Sequence, residues 1–270
     1  MNYRKTLISI IIVFSAGLLQ GCNTHAMKKK ALKEQWEKRS AKANIPVVIN
    51  LLDKDQLQEA GKLIDQTLEI LPENAEANLL KGKVLFAKGK ILKSHDYIKR
   101  VVILDCKMHE GWYYNGLLED HNGKRKAAME SYQTAFSLDQ ENPDYIIAIT
   151  ESYASEGDFE KALTFLNEKA AKLAFNKQLS ALKADLHLRN GNTSEAISTY
   201  KKILVIEGED KDILEALGYC YFINHQWSEA SEVFSKLNEI ADETEKETCL
   251  ELLAVISINR NEYGKAVGYY

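Results

Sequence analysis

The sequence predicts an all-α protein built as a solenoid of stacked helix pairs, and three observations predict it. The 270 residues include only 3 prolines, with frequent Ala, Leu, Glu and Lys and little of the alternation that strands require. A small residue recurs at Ala60, Ser94, Ala128, Ala162, Ala196 and Ala230, each 34 residues from the last, and Ala266 follows after 36. Four residues past each stands a large apolar one: Ile64, Ile98, Tyr132, Leu166, Tyr200, Phe234 and Tyr270.

The chain opens with residues 1–21, where Arg4 and Lys5 precede an apolar run from Leu7 to Leu19. That run is shorter than the roughly 20 residues a membrane-spanning helix needs and fits the core of a secretory signal. Leu19-Gln20-Gly21-Cys22 resembles the bacterial lipobox, although Gln20 departs from the usual small residue. The resemblance implies cleavage before Cys22, lipidation of its sulfur, and, with Asn23 next, an outer-membrane anchor facing the periplasm. Cleavage would take the net charge from −4 to −6, because it removes two cations and no acids. An ordinary cleaved signal with an incidental cysteine is the alternative.

Residues 22–44 form a tether with seven basic residues between Lys28 and Lys42. Two readings stay open. The cations could meet anionic headgroups, each contributing about 1 kcal/mol near the surface. Alternatively, Leu32 and Trp36, spaced i and i+4, cap the domain that follows; this is the expectation we carry forward.

The repeats occupy 45–270. Twelve residues before the small column comes a second one: Val48, Gly82, Gly116, Thr150, Ala184, Gly218 and Ala254. Small residues in both columns let two antiparallel helices approach closely, and the large column fills the space beside them. Five residues before the first column stand Gly89, Gly123, Gly157 and Gly191, then His225 and Asn261. Glycine there ends one helix in a left-handed cap and begins the short turn to the next. Such units bury their faces only against neighbours.

At these columns, and at Trp112-x-x-x-Gly116 and Leu214-x-x-x-Gly218, the chain resembles the tetratricopeptide repeat (TPR) family. The resemblance implies a right-handed α-solenoid of about six 34-residue repeats, the first degenerate and the last cut short at Tyr270. The family's late proline appears at Pro72 and is replaced by Cys106 and Gln140 in the next two units.

Nothing in the sequence gathers a catalytic set. The six histidines fall in different repeats or linkers, and the glycines belong to the turns. No metal, cofactor or small-molecule substrate is expected, and a net charge of −4 gives no support to nucleic-acid binding. Cys220 and Cys249 are offset by about 10 Å along neighbouring helices, too far to bridge, so free thiols are expected.

The working surface is expected on the first helices. Family ligands touch the second, fifth, ninth, twelfth and thirteenth repeat positions. Acids at the second position, such as Glu76, Glu110, Asp144 and Asp212, serve the helix dipole. Asp120, Glu151, Asp185, Glu215 and Glu251 remain in excess over Lys83 and Arg189, beside Phe86, Tyr113, Tyr219 and Phe222. Acid walls with aromatic anchors suit a protein segment bearing Lys or Arg. Leu79, Leu80, Tyr114 and Ala148 stand where a polar clamp for a C-terminal carboxylate could sit, which disfavours chaperone-tail binding. The expected function is a membrane-anchored envelope scaffold without catalysis, of the kind that assists pilus, secretion or cell-wall complexes. A self-associating structural lipoprotein, or part of a protein whose catalytic domain lies beyond Tyr270, are the alternatives.

Overall fold

The computed structural model describes residues 3–269, with side-chain surroundings from Met27 onward. The expectations for cleavage of the signal segment, for lipidation at Cys22 and for Tyr270 rest on residues whose side-chain surroundings lie outside what is described. The chain divides into two compact units, residues 1–122 and 123–270. All regular structure among the described residues is helical, in a TPR-type succession of helix pairs. No described helix is long and apolar enough to cross a membrane.

The first unit holds α1 (Tyr3–Asp53), α2 (Leu57–Ile70), α3 (Ala75–Ala87), α4 (Ile91–Leu104) and α5 (His109–His121). Each packs on the next, and α3 also touches α1 and α5, so the odd-numbered helices form one layer. α1 runs unbroken through residue 44 and keeps its helix across Pro46, which cannot donate a backbone hydrogen bond. Its later turns are held: Ala41, Ile45 and Val48 are buried, and Asn44 Nδ2 donates to Thr67 Oγ1 at 3.2 Å. Leu32 and Trp36 are 66% and 69% exposed, so the expected cap is not made. The i, i+4 spacing places the two on one helix face, but from Met27 to Ser40 α1 is exposed at every position except the half-buried Glu37, so no face of that stretch packs on the domain.

The second unit holds α6 (Arg125–Leu138), α7 (Pro143–Ser155), α8 (Phe159–Ala170), α9 (Lys177–Arg189), α10 (Thr193–Glu207), α11 (Lys211–Ile223), α12 (Trp227–Ile240), α13 (Glu243–Asn259) and α14 (Tyr263–Gly268). Again each helix packs on the next, and α7 touches α9.

The columns are the core. Ala60, Ser94, Ala128, Ala162, Ala196, Ala230 and Ala266 are all buried, as are Ile64, Ile98, Tyr132, Leu166, Tyr200 and Phe234. A Cβ on Gly82 would stand 2.4 Å from Ile98 Cδ1, and one on Gly218 2.8 Å from the Phe234 ring. The small column is therefore small because the large column presses on it. Ser94, the exception among alanines, donates its hydroxyl to the Gly82 carbonyl at 2.8 Å.

The turn column closes the same way in both units. Gly89, Gly157 and Gly191 have φ of +68°, +82° and +78°, and His225 and Asn261 follow at +56° and +58°. Asp55, five residues before Ala60, completes the series at +54° and was not anticipated. The next amide then bonds back five residues, as from Lys90 to Leu85 O at 2.8 Å and Gln226 to Tyr221 O at 2.9 Å. This satisfies the orphan carbonyls of the helix end.

A further column escaped the sequence reading. Asn74, Asn142, Asn176 and Asp210 cap α3, α7, α9 and α11, each accepting a hydrogen bond from a first-turn amide. Met108 holds the corresponding place before α5 without a side-chain cap. Such caps contribute about 0.5–2 kcal/mol each.

Candidate functional site

In the first unit, Phe86 and Tyr113 come together around Tyr114. Phe86 meets the Tyr114 ring edge-on at 6.1 Å between centroids, and Tyr113 meets it at 5.6 Å. Phe86 and Tyr114 both rest on the buried cluster of Leu79, Ile98, Val101 and Leu118. Lys83 Nζ donates to Glu110 Oε1 at 2.9 Å and stands 5.1 Å from the centre of the Tyr114 ring. The sequence reading set Lys83 against the acids as an opposing charge; the fold uses it to neutralise Glu110 on the next first helix. Asp120 is exposed near the end of α5.

Leu79, Leu80 and Ala148 are buried in helix packing. They do not line an exposed face, so their identity says nothing about carboxylate capture, and that part of the sequence argument falls.

In the second unit, Glu151 is exposed on α7, while Asp185 on α9 accepts from Arg189 at 2.8 Å within its own helix. Asp185 therefore adds little free negative charge to the face. Glu215 lies with Lys211, Asp212, Glu245, Thr248 and Cys249 around a cavity of about 80 Å³ between α11, α12 and α13. Lys211 pairs with Glu245 across that opening. The hydrogen bond lowers the Glu245 carboxyl below its ordinary value and raises the Lys211 ammonium. Glu251 is exposed on α13.

The aromatic pair of α11 divides its surface between core and solvent. Tyr219 meets Phe234 edge-on at 5.6 Å and Phe222 meets Trp227 at 5.3 Å. Burial raises the Tyr219 hydroxyl above its ordinary value, with Glu215 adding to the effect. Ile223 on α11 and Val255 and Ile258 on α13 are 56%, 37% and 46% exposed. Sequence reasoning missed these three, although Ile223, Val255 and Ile258 occupy the thirteenth, ninth and twelfth positions of the same register.

Ion pairs across successive first-helix starts were missed as well. Lys177 Nζ donates to Asp210 Oδ2 at 2.6 Å, 33 residues on, which lowers the Asp210 carboxyl and raises the Lys177 ammonium. A spacing near one repeat was the available signal. Cys220 and Cys249 are buried and free, and Cys106 is free and exposed. Burial pushes the Cys220 thiol up to about 11 and raises that of Cys249. Such thiols are poor nucleophiles. Among the described residues, no group of three or more His, Cys, Asp or Glu could hold a metal ion.

This stacking of capped helix pairs has close counterparts among solved structures. The C-terminal part of a TPR repeat-containing protein from Cytophaga hutchinsonii superposes with a TM-score of 0.66 at 15% identity, covering 83% of this chain and 93% of that one. The chain has the tetratricopeptide-repeat fold. YrrB, a TPR protein with an unusual peptide-binding site, matches with a TM-score of 0.51 at 16% identity, over 67% of this chain and 94% of its own. Among curated proteins, mouse Superkiller complex protein 3 is 23% identical over 231 residues, 70% of this chain. The match spans only 15% of that relative's length. No family model matches the chain.

Proposed function

We propose that the chain is an envelope-anchored scaffold that holds a segment of another protein against its first-helix faces. The observation that carries this is the α11–α13 face. On α11 Glu215 shares a face with Tyr219, Phe222 and Ile223, and on α13 Glu251 shares one with Val255 and Ile258, so on each helix an exposed acid stands next to partly exposed apolar surface. An extended or helical segment with Lys or Arg beside an apolar anchor would use both. The peptide-binding site of YrrB supports the reading by analogy of fold.

Anchoring through Cys22 on the periplasmic face of the outer membrane, and service to a pilus, secretion or cell-wall complex, belong to the same proposal. They rest on the lipobox resemblance. Labelling with a radioactive fatty acid tests the anchor: wild type should label and Cys22→Ala should not. Labelling of the variant would refute lipidation at that sulfur.

The face is tested with a Lys- and Arg-bearing peptide library applied to wild type and to Glu215→Lys/Glu251→Lys. Selected peptides should bind wild type, lose affinity as salt rises, and bind the double variant at least tenfold more weakly. Equal affinity for both proteins would reduce these acids to solvated surface.

A further inference from the structure

We propose that the outward face of α1 between Lys28 and Val47 lies on an anionic lipid surface. The proposal stands on this helix alone and does not depend on lipidation at Cys22.

From Met27 to Ser40 α1 is exposed at every position except the half-buried Glu37, and its buried seam begins at Ala41. Ala41, Ile45 and Val48, spaced i, i+4 and i+7, are 1%, 6% and 0% exposed. Lys28, Leu32, Trp36, Arg39, Ala43 and Val47 follow one another at intervals of four, four, three, four and four. At about 100° per residue, this second stripe is centred roughly half a turn from the buried seam. Leu32, Trp36 and Val47 on it are 66%, 69% and 49% exposed.

The charges are sorted by side. Glu34 and Glu37 lie toward the seam side of the helix, where they pair with Lys38 at 2.8 Å and Lys33 at 3.8 Å. The stripe itself carries no acid, and Arg39 at its edge also borders the open groove that Gln35, Lys38 and Lys42 form with residues 70–74, Glu73 among them. Seven cations stand against two acids from Lys28 to Lys42, in a chain whose net charge is −4.

That combination selects the occupant. Anionic headgroups satisfy the cations, and the boundary with the acyl chains takes Leu32 and the Trp36 ring, as in helices that lie flat in a membrane interface. A nucleic acid would use the cations and leave the apolar centre of the stripe in water. The same helix of a second copy would bring Lys28 and Arg39 of one stripe to the cations of the other, with no acid on either stripe to meet them.

Trp36 reports the contact. In the full chain carrying Trp112→Phe and Trp227→Phe it is the sole tryptophan. This protein is mixed with vesicles having bromine-labelled acyl chains, made either of phosphatidylcholine alone or with phosphatidylglycerol. On the anionic vesicles, Trp36 emission should move to shorter wavelength and be quenched. On the neutral vesicles both effects should be largely lost. Each cation removed should weaken binding about fivefold, so Lys28→Gln with Arg39→Gln should weaken it about 25-fold. These side chains are exposed, and an unchanged helical circular dichroism spectrum should accompany the loss.

Three outcomes overturn the proposal: equal quenching on both vesicle types, no quenching on the anionic ones, or a shift without vesicles that grows with protein concentration. A shift with a DNA duplex and none with vesicles would transfer the stripe to nucleic acid. Because the signal arises at Trp36, a chain tethered elsewhere still gives a distinct answer, and failure of the Cys22 anchor is read separately.

Discussion

The helix pair α3–α4 and the helix pair α11–α12 solve one packing problem with different side chains. In α3–α4, Gly82 meets the flexible end of Ile98, Ser94 hydrogen-bonds across to the Gly82 carbonyl, and Gly89 makes the turn. In α11–α12, Gly218 lies under the flat ring of Phe234, Ala230 replaces the serine, and His225 makes the same turn at φ +56°. Backbone geometry is held constant while the residues that produce it vary. The repeat therefore specifies close approach and a left-handed turn more strictly than it specifies any amino acid.

The largest expected effect separates the two approaches. Gly218→Val forces its side chain against a rigid ring and should cost about 3 kcal/mol, the upper end for overpacking. Gly82→Val meets both Cδ1 and Cγ1 of the buried Ile98, a chain with two rotatable side-chain bonds where the ring has no internal freedom, and should cost about 1 kcal/mol less. Urea denaturation of both variants measures the difference. Equal losses would mean that the neighbour's rigidity is not what sets the cost.

What could be read from the sequence follows the same division. The small, large and turn columns recur at fixed spacing because each answers a local steric demand, so Ala162 or Gly191 announces its role by position. Asp55 stands in the turn column without being glycine, so there the position and not the residue type carries the signal. The α1 face shows the opposite case. Leu32 and Trp36 marked a helix face correctly, yet spacing within one helix carries no information on what that face meets. The groove residues fall between. Register places Tyr219 and Phe222 on a first helix, α11, but the Lys83–Glu110 and Lys177–Asp210 pairs join different repeats, and no pattern within one helix reveals them. Asp185 looked like a free acid until its Arg189 partner was in place.

Alkaline pH should sharpen the contrast, because α10 and α11 bury two groups that resist ionisation. Burial pushes the Tyr200 hydroxyl from 10.0 up to about 12 and the Cys220 thiol from 9.0 up to about 11. The unfolded chain releases these protons at the ordinary values while the folded chain keeps them. Stability is therefore full below about pH 9 and falls through the pH 9–12 window, by on the order of 2 kcal/mol for each group. Tyr200→Phe and Cys220→Ala should each flatten part of that decline when denaturation midpoints are compared at pH 8 and pH 11. A wild-type decline that neither substitution alters would assign the effect to other groups.

An intermediate effect is expected at the caps. Asn176→Ala removes the acceptor for the Leu179 amide at 2.9 Å and should cost about 1 kcal/mol. Met108→Asn adds an acceptor where α5 has no side-chain cap and should gain a few tenths to 1 kcal/mol. Matching denaturation midpoints for each variant and wild type would show that these helix starts are held by packing alone.

The smallest effect concerns the turn itself. His225 carries a side chain in the left-handed region, where an L-residue is destabilised by about 1–2 kcal/mol. Glycine would relieve that strain, but it would also raise the entropy of the unfolded chain by about 0.4–1 kcal/mol. It would lose the contact with Trp227 as well, whose ring centre lies 5.1 Å from that of His225. His225→Gly should therefore stabilise by only about 0.5 kcal/mol. Gly157→Ala, at φ +82°, faces open space and should destabilise by about 1 kcal/mol, because conformation and not crowding opposes it. Opposite shifts in thermal midpoint would confirm that one backbone requirement governs both turns. A loss of stability in both would mean that the His225–Trp227 contact outweighs the strain, and that the later turn is held by its side chains.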